Sequence, residues 1–315
     1  MILSVSRRTD IPACYPSWFV NRLREGFVYV RNPMNPRQVS RIALTLDVVD
    51  CIVFWTKDPI PLLPYLPEIE AMGYPYILQM TLTGYGQDVE AALPSVAERV
   101  SAMQALSRRI GAKRLIWRYD PILLSDAYTV EWHATNFARL AEALDGCVER
   151  CVLSFLDLYP KIRSRLRAGG LLPCTEAQMR QIASAMAPVA SAHGLRLQTC
   201  AEQIDLAEFG VLHGACIDSA LISDVLGVPL DVRRDGNQRS QCGCVASVDV
   251  GEYNTCLNGC AYCYANHSQE VIARHAAQHD PHSPLLTGLP AAEDRITERK
   301  VTSLRPQDGS QLSFL

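Results

Sequence analysis

The sequence has no apolar run long enough to cross a bilayer. Its longest, such as Cys51 to Trp55, are strand-length and fall short of the roughly 20 residues a spanning helix needs. The N-terminus also lacks the order of a secretory signal: in Met-Ile-Leu-Ser-Val-Ser-Arg-Arg-Thr-Asp the charges follow the apolar stretch, and no hydrophobic region comes after them. A cytoplasmic location is therefore the expectation. Net charge is scarce too. Against 33 Asp and Glu stand 30 Lys and Arg, and the resulting −3 carries no electrostatic mark of a nucleic-acid binder beyond what a local basic patch could add. There is no low-complexity block and no internal repeat beyond an alternation of strand and helix patterns. With 48% hydrophobic and 20% charged residues, the 315-residue chain reads as globular, with length for one large α/β barrel or two ordinary domains.

What is present in excess is cysteine. Twelve cysteines in a chain expected in a reducing compartment point to metal or catalysis rather than disulfides. Cys14, Cys51, Cys147, Cys151 and Cys174 are scattered through the first 175 residues, and the other seven fall between Cys200 and Cys263. Cys51 and Cys151 begin apolar strands and read as core. Cys14, Cys147 and Cys174 have no partners at ligand spacing. His133, His275, His279 and His282 read as solvated or capping residues.

Up to about residue 205, short apolar runs alternate with helical patterns. Strands are predicted at Ile2–Ser6, Cys51–Thr56, Tyr76–Leu82, Arg114–Tyr119, Cys151–Asp157 and Leu195–Thr199. Most show little polar alternation, as expected for strands buried on both faces of a parallel sheet. Helices are predicted at Ser17–Arg24, Leu62–Met72, Leu93–Ile110, Thr129–Leu144 and Thr175–His193. Gly73, Gly111, Gly146 and Gly194 each follow a helix, as glycines just past a helix end do. This order argues for an α/β barrel or partial barrel. Residues 203–240 read as a looser connection without a strong strand. A last apolar run, Val245–Val250, leads into a cysteine cluster, a helix follows Ala265 to about His279, and the remainder reads as an irregular wrap. The organisation expected is a (β/α) barrel core over 1–205, a cysteine-rich cluster-binding segment over 206–279 that completes the barrel, and a tail over 280–315.

The predicted strands end in polar residues: Arg7, Arg8 and Asp10 after the first, Lys57 after the second, Arg118 and Asp120 in the fourth, Glu202 after the sixth. In parallel barrels the C-terminal strand ends form the active-site face. Charged groups there suit an anionic or zwitterionic ligand, although any one of them could equally be a helix cap or surface turn.

Cys256, Cys260 and Cys263 form a C-x3-C-x2-C spacing. Three thiolates within eight residues can converge on one cube of iron and sulfide if the backbone loops tightly, which Gly259 eases. Three ligands on a four-iron cluster leave one iron open to an outside molecule. Zinc, with His267 as fourth ligand, is the competing reading. An electron-transfer cluster would call for a fourth cysteine.

This spacing, with aromatic Tyr262 before the last cysteine, resembles the signature of the radical S-adenosylmethionine superfamily. The string Cys260-Ala-Tyr-Cys263-Tyr-Ala is similar to the spore photoproduct lyase branch. The whole chain, with Ser6-Arg-Arg-Thr-Asp-Ile-Pro12 near its start and Cys242-Gly-Cys244 later, also resembles an uncharacterised bacterial domain-of-unknown-function family. The superfamily resemblance implies a 4Fe–4S cluster whose open iron chelates the amino and carboxylate groups of S-adenosylmethionine. An electron, supplied by a donor such as flavodoxin or ferredoxin, then releases a 5′-deoxyadenosyl radical that abstracts hydrogen from a substrate. It implies that Tyr262 lies against the adenine. Two departures stand out. The superfamily carries its cluster after the first strand, so a C-terminal cluster requires a permuted barrel. A Gly-Gly-Glu segment, which usually binds the methionine amino group, is lacking, and Arg7, Asp10 or Lys57 would have to substitute.

Cys200, Cys216, Cys242 and Cys244 could complete a second, closed site. An auxiliary 4Fe–4S cluster is preferred over structural zinc, because the spacings lack paired C-x2-C knuckles; buried free thiols are the plain alternative. The sequence thus predicts a radical enzyme of unknown substrate, a small molecule first, with peptide and nucleic acid open. A lesion lyase acting on nucleic acid and a zinc-stapled binding module are the rivals.

Overall fold

The inward and outward positions of each predicted strand carry different residues, and this difference organises the fold. In the computed structural model, which describes residues 1–239 and 241–306, eight strands form one parallel sheet in the order β10-β1-β4-β5-β6-β7-β8-β9. The strands are β1 (Ile2–Val5), β4 (Cys51–Thr56), β5 (Tyr76–Thr81), β6 (Leu115–Ile122), β7 (Arg150–Phe155), β8 (Arg196–Cys200), β9 (Leu212–Gly214) and β10 (Val248–Asp249). An antiparallel hairpin, β2 (Phe27–Asn32) and β3 (Asn35–Ala43), lies apart from it and is joined by β11 (Arg295–Glu298).

One face of the sheet meets helices. Leu3, Val5, Phe54, Leu78, Trp117 and Leu153 pack with residues of α2 (Pro16–Glu25), α3 (Leu66–Ala71), α4 (Val96–Ile110), α5 (Val130–Ala143) and α7 (Glu176–Ala192). Trp117 stacks on Phe137 with ring centroids 4.9 Å apart. Burying each such side chain contributes about 1.5–3 kcal/mol, so this face dominates stability. Two helices begin with reciprocal capping boxes, Ser95 with Glu98 and Thr175 with Gln178, which satisfy otherwise orphaned N–H groups.

The other face changes character along each strand. Ile2, Cys51, Val53, Ile77, Ile116 and Val152 form an apolar cluster with Ile217, Leu221 and Ile222, the last two on α8 (Ser219–Leu226). Two or four residues further on, with the same side-chain direction, stand Ser6, Trp55, Lys57, Thr81, Arg118, Asp120 and Ser154, which line a cavity together with Cys200 at the end of β8. The barrel interior is thus packed at one end and polar at the other. The predicted strands looked unalternating because both faces of their first halves are apolar.

The strand leading to the cysteine loop sits where a permuted barrel requires it. β10 pairs in parallel with β1, Leu3 opposite Val248 and Ser4 opposite Asp249. Asp249 accepts hydrogen bonds from Ser4 Oγ (2.9 Å), Ser6 Oγ (2.6 Å) and the Arg7 N–H (2.8 Å), which fixes the register. The short helices α1 (Ile11–Cys14) and α6 (Arg163–Ala168) pack near the loop, and α9 (Gln269–Ala277) follows it.

Several expectations need correction. Residues 203–240 hold β9 and α8, the latter capped by Asp218 and ended by left-handed Gly227. The tail supplies β11; residues 307–315 lie outside the described residues. The helix expected at Leu62–Met72 begins as a 3-10 turn over Ile60–Tyr65 because of its prolines. His133 is neither solvated nor capping. It is fully buried, bonded to the Tyr119 hydroxyl (2.9 Å) and Leu123 carbonyl (2.7 Å), and burial holds its pKa down to about 4.

Candidate functional site: a cavity lined by seven thiols

A cavity of about 360 Å³ opens at the C-terminal ends of the parallel strands. Cys256, Cys260 and Cys263 line it, together with Cys200, Cys216, Cys242 and Cys244. All twelve cysteines are free thiols.

The first set owes its shape to a tight loop. Gly259 takes φ +67°, a left-handed conformation that other residues resist, and it is this backbone conformation rather than crowding that calls for glycine there. Asn266 Nδ2 donates to the Cys256 carbonyl (2.6 Å), and Arg165 donates to the carbonyls of Cys263 (2.6 Å) and Asn266 (2.9 Å). Burial pushes the thiols of Cys260 and Cys263 up; the Lys57 ammonium opposes this at Cys260 and the Arg165 guanidinium at Cys263. Cys256 is raised first by contact with Cys14, whose sulfur also accepts the Leu257 N–H (3.4 Å). The sequence left Cys14 without partners, since 242 residues separate it from Cys256 and only the fold joins them.

The second set is assembled from four places: the end of β8, the turn before α8, and the two ends of Cys242-Gly-Cys244. Contact with Cys200, Cys216 and Cys242 lowers the Cys244 thiol, and the same contacts raise Cys216 and Cys242. Two N–H groups aim at the sulfurs, Arg118 Nη1 at Cys216 Sγ (2.7 Å) and Ile217 N at Cys244 Sγ (3.3 Å). Gln79 Nε2 fixes the Cys216 carbonyl (2.6 Å).

Among the described residues, no group of three or more His, Cys, Asp or Glu is disposed to hold a metal ion. All-thiol donor sets with N–H groups directed at sulfur are the kind that iron–sulfur clusters take. His267 lies outside the cavity lining; its Nε2 meets Asn254 Nδ2 at 3.2 Å.

The charged residues expected to hold a ligand all have partners already. Arg7 reaches Ser247 Oγ (3.0 Å) and Asp235 (3.5 Å), and Arg8 pairs with Asp249 (4.0 Å). Arg118 grips Asp120, and Arg239 grips Asp157 and Tyr159 at the cavity mouth. Lys57 pairs with Glu90 (3.1 Å). Asp10 caps α1 through the Ala13 N–H (3.0 Å), accepts the Lys57 N–H (2.8 Å) and holds Asn258 Nδ2 of the cysteine loop (2.9 Å); burial raises its pKa to about 6. Its oxygens tie three elements together. Glu202 does not line the cavity: it accepts the Ser154 hydroxyl and the Phe155 N–H, both at 2.9 Å. Tyr262 lines the cavity while its hydroxyl donates to Glu90. Glu90 sits in no recognisable motif.

Fold and site together define an α/β protein, barrel-like, with a thiol-lined cavity at the C-terminal ends of its strands. The chain belongs to the family described as Domain of unknown function (DUF1848), whose model matches residues 2–265. That span ends just beyond Cys263 and includes both cysteine sets. No curated protein matches the chain. Among the described residues no helix is long and apolar enough to cross a membrane.

Proposed function

We propose that this protein is a radical S-adenosylmethionine enzyme acting on a small molecule. The observation that carries this reading is the position of the Cys256–Cys263 loop. It follows a strand paired with β1, and its three thiols face the cavity in which the polar strand ends converge. When bound, a 4Fe–4S cluster with one open iron would supply the electron that cleaves S-adenosylmethionine.

The chain's own residues hold, orient and exclude water. Cys256, Cys260 and Cys263 would be the cluster ligands, and Tyr262 and Lys57 stand beside them on the cavity wall. Cys200, Cys216, Cys242 and Cys244 would hold an auxiliary 4Fe–4S cluster across the same cavity, closed because all four ligands come from protein. A soluble one-electron donor such as flavodoxin or ferredoxin would reduce the first centre. The pairing of Arg7, Arg8, Lys57, Arg118 and Arg239 with carboxylates offsets their positive charge at the cavity, which favours a small substrate over nucleic acid, whose binding is driven by neutralising many phosphates.

The test is anaerobic reconstitution, addition of a strong reductant and S-adenosylmethionine, and a search for 5′-deoxyadenosine and methionine. Both products should form slowly without substrate, and Cys260→Ala should form neither. Equal turnover in the variant would place the activity elsewhere.

A further inference from the structure

We infer that Glu90 is the positioning residue of the Cys256/Cys260/Cys263 centre and that, with Lys57, it sets the charge against which that centre is reduced; this rests on the reading that the loop holds a cluster. Glu90 approaches the loop twice. Its backbone forms an antiparallel bridge with Cys260, flanked by Ala261 N to Val89 O (2.8 Å) and Ala92 N to Asn258 O (3.2 Å). The segment after β5 thus runs beside the cysteine loop as a backing strand.

Its side chain gathers four donors from four parts of the chain. One carboxylate oxygen accepts the Tyr262 hydroxyl, Lys57 Nζ (3.1 Å) and Thr83 Oγ1 (3.2 Å), and the other accepts Arg99 Nη1 (3.0 Å). Glu90 is 0% exposed and Arg99 1%. A buried charge costs several kcal/mol unless it is paired and fully hydrogen-bonded, so an apolar side chain would serve packing better. Glu90 meets this requirement by geometry, with the Lys57 ammonium at 3.1 Å and the Arg99 guanidinium at 3.0 Å, one cation on each carboxylate oxygen. Both charges stand against the loop: the Glu90 backbone bridges Cys260, and Lys57 Nζ lies 5.2 Å from the centroid of the Tyr262 ring. Asp58 also lies near Arg99 but is half-buried and screened by solvent.

A purely structural brace would affect whether the loop forms. A charge device also moves the reduction potential, with a sign set by the charge removed. Gaining an electron is opposed by a nearby anion and favoured by a nearby cation in a low-dielectric site. The experiment compares reconstituted wild type, Glu90→Gln, Lys57→Gln and Tyr262→Phe by iron content and by a redox titration of the first centre followed by paramagnetic resonance. Glu90→Gln should raise the potential, Lys57→Gln should lower it, and Tyr262→Phe, which removes a hydrogen bond and no charge, should stay nearest wild type. If Glu90→Gln fails to fold, Lys57→Gln decides: a lower potential supports the assignment and an unchanged one overturns it. Shifts of the same sign at full iron content overturn the charge role while leaving the cluster assignment intact. Wild type that takes up no iron overturns both.

Discussion

The two cysteine sets line one cavity but are built in opposite ways. Cys256, Cys260 and Cys263 lie within eight residues, and their loop is shaped by local means: a left-handed Gly259, Asn266 reaching back to Cys256, and Asp10 holding Asn258. Cys200, Cys216, Cys242 and Cys244 span 45 residues and meet only because β8 ends where the turn before α8 enters the barrel. The first set is a loop laid onto a finished fold, whereas the second is part of the fold. Metal lost from the first should cost function, and metal lost from the second should also cost stability, since binding free energy at a site absent from the unfolded chain is folding free energy.

The largest expected effect comes from replacing Cys256, Cys260 and Cys263 together by Ala. Iron should fall from about eight to about four atoms per chain, as two four-iron cubes imply, and cofactor cleavage should vanish. An unchanged iron count would mean that the ligands are misassigned. Next is Cys242→Ala, which should lose the second signal in Mössbauer or paramagnetic resonance spectra, keep the first, and unfold at lower temperature than Cys263→Ala. Equal melting temperatures would erase the contrast between the sets. A smaller effect is expected from Arg118→Gln. Loss of the N–H directed at Cys216 should alter the second centre's spectrum and leave the first unchanged; a change confined to the first would reverse the spatial assignment. The smallest belongs to Cys14→Ala. Its sulfur touches Cys256, but as a neighbour rather than a ligand it should leave iron content at wild-type level, and loss of iron would make it a fourth ligand.

The same contrast explains what could be read from sequence. Spacing picks out Cys256, Cys260 and Cys263 directly, because a local loop leaves its geometry in the chain order. The seven-cysteine clustering indicates the second set but not which elements bring it together. Strands β4 to β8 were legible as apolar runs and α4, α5 and α7 as periodic patterns between caps. The β2–β3 hairpin was not, because its strands bury few residues fully and its turn, Pro33-Met34, lacks the Asn-Gly signature of tight hairpins. Glu90 and Cys14 were invisible for a different reason. Each acts on a residue more than 150 positions away, and neither sits in a pattern that a single sequence exposes. The charged strand ends were legible as residues facing a cavity, but their partners were not: Asp249 and Asp235, which occupy Arg8 and Arg7, come from the far end of the chain.

The claim on which everything turns is that the first centre keeps one iron open to S-adenosylmethionine. Paramagnetic resonance of the reduced Cys242→Ala protein, which carries only that centre, tests it most directly. The account predicts that adding S-adenosylmethionine changes the cluster spectrum through direct coordination. An identical spectrum with and without S-adenosylmethionine, at full iron content, would contradict it.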